Sequence, residues 1–137
     1  MPDAITPIGY RSPQVAALTG ATFKEVTHWR HIGLVRPSIH DGRNSGDHYR
    51  WSIDDVRIIR TVVILRHAGI SLDRIRHAQV IAVLASPWHG WQGWLIITPR
   101  QAVITTNPAE VAEIVAGEAT PLAVLNLAHV TLLDMDA

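Results

Sequence analysis

Residues able to meet a polyanion recur at helical intervals in the run Thr22-Phe-Lys-Glu-Val-Thr-His-Trp-Arg-His31. Lys24 and Arg30 can reach phosphates or guanine edges, and Thr27 and His28 can hydrogen-bond bases or phosphates. Thr22 and Phe23 share the outward side of that helix, whereas Val26 and Ile32 should face a core. Further along, Arg43 sits within Ser38-Ile-His-Asp-Gly-Arg-Asn-Ser-Gly-Asp47, a run dense in turn formers, and Tyr49 and Arg50 follow it. Arginines on such a tip can lie along phosphates or enter a minor groove. Arg11 is one more cationic candidate near the start. The competing reading is an ordinary solvated helix beside an ordinary hairpin.

Other chemistries find less support. The 137 residues include no cysteine, which excludes disulfides, thiolate metal sites and cysteine nucleophiles. His28 and His31 are three apart on one helix, but no carboxylate–histidine metal motif accompanies them. No phosphate-binding glycine loop, dinucleotide fingerprint or nucleophile–histidine–acid order is present, so neither enzyme activity nor a cofactor is expected. Trp88, Trp91 and Trp94 lie within seven residues. They read either as an aromatic pocket for a flat or cationic ligand or as a hydrophobic plug at a junction or dimer contact. The lack of a nearby acidic or metal-binding partner favours the plug. No apolar run is long enough to span a bilayer, and no signal-peptide pattern opens the chain, so a cytoplasmic protein is expected.

Twelve basic and twelve acidic side chains give zero formal charge, but they are unevenly spread. Residues 1–77 hold eleven basic against seven acidic side chains, a net +4; residues 78–137 hold one against five, a net −4. That asymmetry points to a nucleic-acid-facing part and a part put to another use.

The elements that must position these residues follow from punctuation. Ser12 with Pro13 should cap a first helix that Gly20 ends. Thr22 should cap a second, ended by Gly33. Val35–Arg36 and His48–Trp51 should form a hairpin, with Trp51 in the core. Ser52 and Asp55 form a capping box for a third helix that Gly69 stops. Ser71 should cap a fourth helix running to Ala85, before Ser86-Pro87. Then come a hairpin (Trp94–Thr98 with Ala102–Thr106), a helix capped by Asn107 with Pro108 at its first position, and a strand from about Pro121 with Val124, Asn126, Ala128, Val130 and Leu132 on one side. The expected class is α+β. A winged helix-turn-helix domain (residues 1–85) precedes a small α+β domain of hairpin, short helix and strand (residues 86–137).

Four stretches, YRSPQVAALTG (10–20), HWRHIGLVRP (28–37), YRWSIDDV (49–56) and LRHAGISLDRI (65–75), occur in an order and spacing that closely resembles the DNA-binding domain of MerR-family transcription regulators. The resemblance covers residues 9–80 and implies a winged helix-turn-helix that docks its second helix in the major groove of double-stranded DNA. It implies contacts from Arg11, Thr22, Phe23, Lys24, Thr27, His28, Arg30, Arg43, Tyr49 and Arg50. The family usually carries an Arg, two Tyr and a Glu where this chain has Thr27, His28, Trp29 and Arg30. It also usually continues into a long dimerising helix, whereas Leu72–Ala85 would reach only about 20 Å. Residues 86–137 are too few for an independent core without staples, so they must pack on the first domain or on their own copy in a partner chain; pairing with a second copy is expected, giving a homodimer on a palindromic site. Alternatives are an excisionase-like or phage-repressor-like architectural protein, and a protein-interaction adaptor that no longer binds DNA.

Overall fold

Among the described residues, every α-helix except Val80–Leu84 starts where a side chain can take up free backbone N–H groups. The computed structural model describes residues 9–41, 49–117 and 121–133. They belong to two compact units, one drawn from Met1–Val63 with Leu132–Ala137, the other from Ile64–Thr131.

In the first unit, α1 spans Ser12–Thr19. The expected cap by Ser12 is displaced by one residue. Arg11 is the N-cap, and its N–H donates to Gln14 Oε1 at 2.9 Å. Ser12 lies inside the first turn, where its hydroxyl accepts the indole N–H of buried Trp51 at 3.0 Å. Gly20 closes the helix at φ 83°, a left-handed conformation that favours glycine, and its N–H returns to Ala16 C=O. Helix α2, Phe23–His31, is capped as expected. Thr22 Oγ1 accepts the Glu25 N–H at 3.0 Å, and Glu25 Oε1 accepts the Thr22 N–H at 2.9 Å.

The wing starts later than the sequence suggests. Leu34 and Val35 N–H groups both donate to Trp29 C=O, at 2.9 and 3.4 Å. Residues 34 and 35 therefore serve α2's free carbonyl, and the strand cannot start there. Strand β1 is His40–Asp41 and pairs antiparallel with β2, Tyr49–Arg50, in the register His40↔Arg50 and Asp41↔Tyr49. The expected tip, residues 42–48 with Arg43, lies outside the described residues. Tyr10 adds a bridge to Trp51, with N–H···O distances of 2.8 and 2.9 Å in the two directions.

Helix α3, Ile53–His67, opens on the Ser52–Asp55 capping box. Asp55 Oδ2 accepts the Ser52 N–H at 2.8 Å, and also the Ser38 N–H and hydroxyl, both at 2.7 Å. The carbonyls at the end of α1 are met from afar: Arg60 donates to Thr19 C=O at 2.9 Å, and the Leu133 N–H donates to Leu18 C=O at 2.8 Å.

In the second unit the expected single helix from Leu72 to Ala85 is broken. Helix α4 is Leu72–His77, capped by the Ser71 hydroxyl, and α5 is Val80–Leu84. Gln79 turns left-handed between them at φ 58°. The physical reason is a competing acceptor role, since Ala78 C=O accepts the Ala102 N–H at 3.1 Å instead of continuing the helix. Strands β3 (Trp94–Ile97), β4 (Ala102–Thr105) and β5 (Ala123–Asn126) form an antiparallel sheet in the order β4-β3-β5. Leu95, Ile96 and Ile97 are all fully buried, so both faces of β3 are covered. Helix α6, Pro108–Gly117, joins β4 to β5, with Asn107 Oδ1 accepting the Ala109 N–H at 3.0 Å. The expected alternation after β5 stops at Asn126, whose Oδ1 accepts the Ala128 N–H and bends Leu127–His129 into a 3-10 turn.

Asp55 carries more hydrogen bonds than its place in a capping box requires. Asp55→Ala is expected to cost about 2 kcal/mol, because it leaves a helix N-terminus and the Ser38 donors without their acceptor. Ser38→Ala is expected to cost about half of that. Urea denaturation of the intact chain checks both, and equal losses for the two variants would contradict the assignment.

Candidate nucleic-acid interface

Helix α2 divides into two faces because Val26 and Trp29, three residues apart, are both buried. The remaining positions must look outward. Thr22, Phe23, Lys24, Thr27, His28 and His31 are all exposed, Phe23 to 55%. An exposed phenylalanine among polar residues costs apolar hydration in the free protein, and a surface that docks can cover it. The last turn carries His28, Arg30 and His31, which suits the negative end of the helix dipole.

Arg30 departs from this pattern. It is half-buried, and its guanidinium carbon lies 4.2 Å from the centroid of the Tyr49 ring. Its Nε is buried and finds no hydrogen-bond partner among the described residues, and the same holds for Nη1 of Arg50. Tyr49 and Arg50 are half-buried in β2, and Arg11 is exposed at the α1 N-cap beside the Tyr10–Trp51 bridge. Gly9 permits that bridge. At φ 93°, any Cβ there would stand 2.8 Å from Trp51 O and 2.7 Å from Ile39 Cδ1. The Ile39 N–H in turn donates to Arg50 C=O at 3.2 Å.

The structure thus leaves Phe23, Lys24, Thr27 and His28 exposed on α2, with Thr22 exposed at its cap, and places Arg30 against Tyr49. Sequence reasoning missed Gly9 and Tyr10 as part of the wing, and read Arg30 as fully outward. The Tyr10–Trp51 and Arg30–Tyr49 pairs join residues far apart in the chain, and no local periodicity signals them. Arg57 and Arg60 are engaged locally, Arg57 with Asp54 at 3.6 Å and Arg60 with the α1 carbonyl.

Residues 10–79 match the family model of the MerR helix-turn-helix regulatory proteins. The chain belongs to the MerR family. It is 35% identical over 78 residues to uncharacterized HTH-type transcriptional regulators of Mycobacterium bovis and of two Mycobacterium tuberculosis strains. The aligned part is 57% of this chain and 34% of each relative, so the chain spans about a third of the length of the curated relatives it matches. No solved structure matches it. Among the described residues, no helix of this MerR-family chain is long and apolar enough to cross a membrane.

The three tryptophans lie in the other unit. Trp88 and Trp91 both meet the His89 ring edge-on, at centroid distances of 5.9 and 5.1 Å. His89 is buried, its Nδ1 accepts the Trp91 N–H at 2.9 Å, and its Nε2 donates to Leu84 C=O at 2.8 Å. Trp94 is half-buried at the start of β3. The same unit carries an open concavity of about 800 Å³ lined by α4 residues Asp73, Arg74, Arg76 and His77, together with Ser71, Thr98, Pro99 and Leu122.

His89 is therefore the structural centre of the tryptophan loop, and Trp88, 60% exposed, is not. His89→Ala is expected to destabilise the chain by about 2 kcal/mol, because a buried carbonyl and a backbone N–H lose their partners. Trp88→Ala is expected to stay within about 0.5 kcal/mol. Thermal melts of the two variants check this, and a reversed ranking would place the packing role on Trp88.

Proposed function

We propose that this MerR-family chain is a sequence-specific DNA-binding transcriptional regulator that acts as a homodimer on a palindromic site. The observation that carries the reading is the outward face of α2. Lys24, Thr27 and His28 stand exposed on a helix whose opposite side is buried, beside a wing bearing Arg50. Such a helix can enter a major groove while the wing follows the adjoining backbone. The excess of positive charge over residues 1–77 supports the same docking side.

In this reading residues 1–85 hold the DNA and residues 86–137 pair the two copies. The support lies in unspent apolar surface. Helix α6 has no buried residue, although Val111, Ile114 and Val115 recur along it. Val115 is 38% exposed and Val124 on β5 45%. A two-fold pairing suits two half-sites of a palindrome, because one winged unit reads too few base pairs to be selective.

Binding to sites selected from a random DNA pool is expected to weaken steeply with salt. Lys24→Ala and Arg50→Ala are each expected to reduce affinity about tenfold and to lower the slope of log K against log salt by about one. Gel shifts across a salt series measure both quantities. Unchanged affinity in both variants would overturn the docking face, and selected sites without two-fold symmetry would overturn the palindrome. Sedimentation of the intact chain is expected to give a dimer, and a monomer at all concentrations would refute the pairing.

A further inference from the structure

We propose that Arg30 is a positioning residue, which fixes the wing against the recognition helix by lying on the Tyr49 ring. The inference rests on the DNA-binding reading above and deepens it. It reassigns two residues from touching DNA to holding the group that does.

The wing needs such a tie. Its ladder has two residue pairs, His40↔Arg50 and Asp41↔Tyr49, and a hairpin this short does not hold its own direction in water. Its base is secured elsewhere. Tyr10 bridges Trp51, the Ile39 N–H meets Arg50 C=O, and Ser38 is held by Asp55 at the head of α3. None of those bonds reaches α2. Among the described residues, the aromatic contact that joins α2 to β2 is Arg30 on Tyr49, at 4.2 Å.

The residue types suit the role. A guanidinium is planar and lies flat on an aromatic face, which a lysine ammonium cannot match. Arg30 sits in the last turn of α2, where a cation also complements the helix dipole. Arg30 is half-buried with its Nε enclosed and its guanidinium against the Tyr49 ring, whereas Lys24, Thr27 and His28 on the same helix stand exposed. Arg50 follows Tyr49 directly in β2, so a ring held in place also holds the backbone that presents Arg50.

The test is a double-mutant cycle on the intact chain with a selected DNA site. Arg30→Ala and Tyr49→Ala are each expected to weaken binding about tenfold, and the double variant no further than about tenfold, because both remove one contact. Tyr49→Phe keeps the ring and is expected to bind like the parent, with Arg30→Lys intermediate. Tyr49→Ala removes no charge, yet it is expected to lower the salt slope by about one, as Arg50 loses its phosphate. Losses that multiply to about a hundredfold in the double variant would overturn the proposal, as would a Tyr49→Phe as weak as Tyr49→Ala, or single variants that bind like the parent. Amide hydrogen exchange of the free protein reads the same strut without DNA. Tyr49, Arg50 and Trp51 should exchange about tenfold faster in Arg30→Ala and Tyr49→Ala, but not in Tyr49→Phe. Unchanged exchange in the alanine variants would also overturn the proposal. A parent chain that binds no DNA, with wing exchange responding as expected, would refute the DNA reading and leave the strut standing.

Discussion

One carboxylate oxygen, Oδ2 of Asp55, ties the start of α3 to the chain entering the wing. It accepts from the Ser52 N–H inside the capping box and from both donors of Ser38, seventeen residues upstream. Without an acceptor there, the first turn of α3 would keep a free donor, and the stretch after α2 would lose its anchor. The described residues of the wing, 38–41 and 49–51, lie between this point and the Tyr10–Trp51 bridge. Trp51 then passes the constraint on, since its indole N–H reaches the Ser12 hydroxyl and so fixes where α1 begins. Two helices, α1 and α3, and the wing therefore depend on contacts among Asp55, Ser38, Trp51 and Ser12. The Trp51 indole N–H and the Ser52 N–H are part-buried, so their bonds satisfy groups that burial would otherwise penalise.

The features legible in the sequence are those decided within a few residues. Thr22 with Glu25, Ser52 with Asp55, and Asn107 ahead of Pro108 announce helix starts because cap and capped group lie within one turn. The β3–β4 hairpin is legible because its apolar, β-branched runs flank a short turn. What escaped was decided at a distance. Ser12 looks like a cap until Trp51, thirty-nine residues on, claims its hydroxyl. Leu72 to Ala85 reads as one helix until Ala102 draws the Ala78 carbonyl away. The same holds for the candidate interface. The exposed face of α2 follows from its period, whereas the half-burial of Arg30 follows from a ring nineteen positions later.

The zero net charge conceals a division that the fold respects only in part. The basic stretch through residue 77 covers the Met1–Val63 part of the first unit and continues into α4 of the second. Helix α3 is continuous from Ile53 to His67, across the point where one unit gives way to the other. The chain also comes back: Leu133 rejoins the first unit and donates its N–H to the end of α1. The unit that holds the helix-turn-helix therefore also holds Leu133, more than a hundred residues further along. The family resemblance, which stops near residue 80, marks a stretch of sequence and does not by itself bound a packed body.

That return also bears on how α2 is held. The turn between α1 and α2 is the short link Gly20 to Thr22, and a tight turn transmits any tilt of one helix to the other. Two of α1's last carbonyls are met by groups from outside the motif, the guanidinium of Arg60 on α3 and the N–H of Leu133. A Cβ at Gly20 would meet Arg60 Nη1 at 3.3 Å and Leu133 Cδ1 at 3.5 Å, so the same two residues also crowd the turn itself. The presentation of α2 therefore rests on supports at both ends, Arg60 and Leu133 before it and the wing stack after it. A helix held at both ends has little freedom to adjust when it meets a surface. In the proposed DNA-binding reading, selectivity would then come from the fixed spacing of Lys24, Thr27 and His28, with little contribution from induced fit.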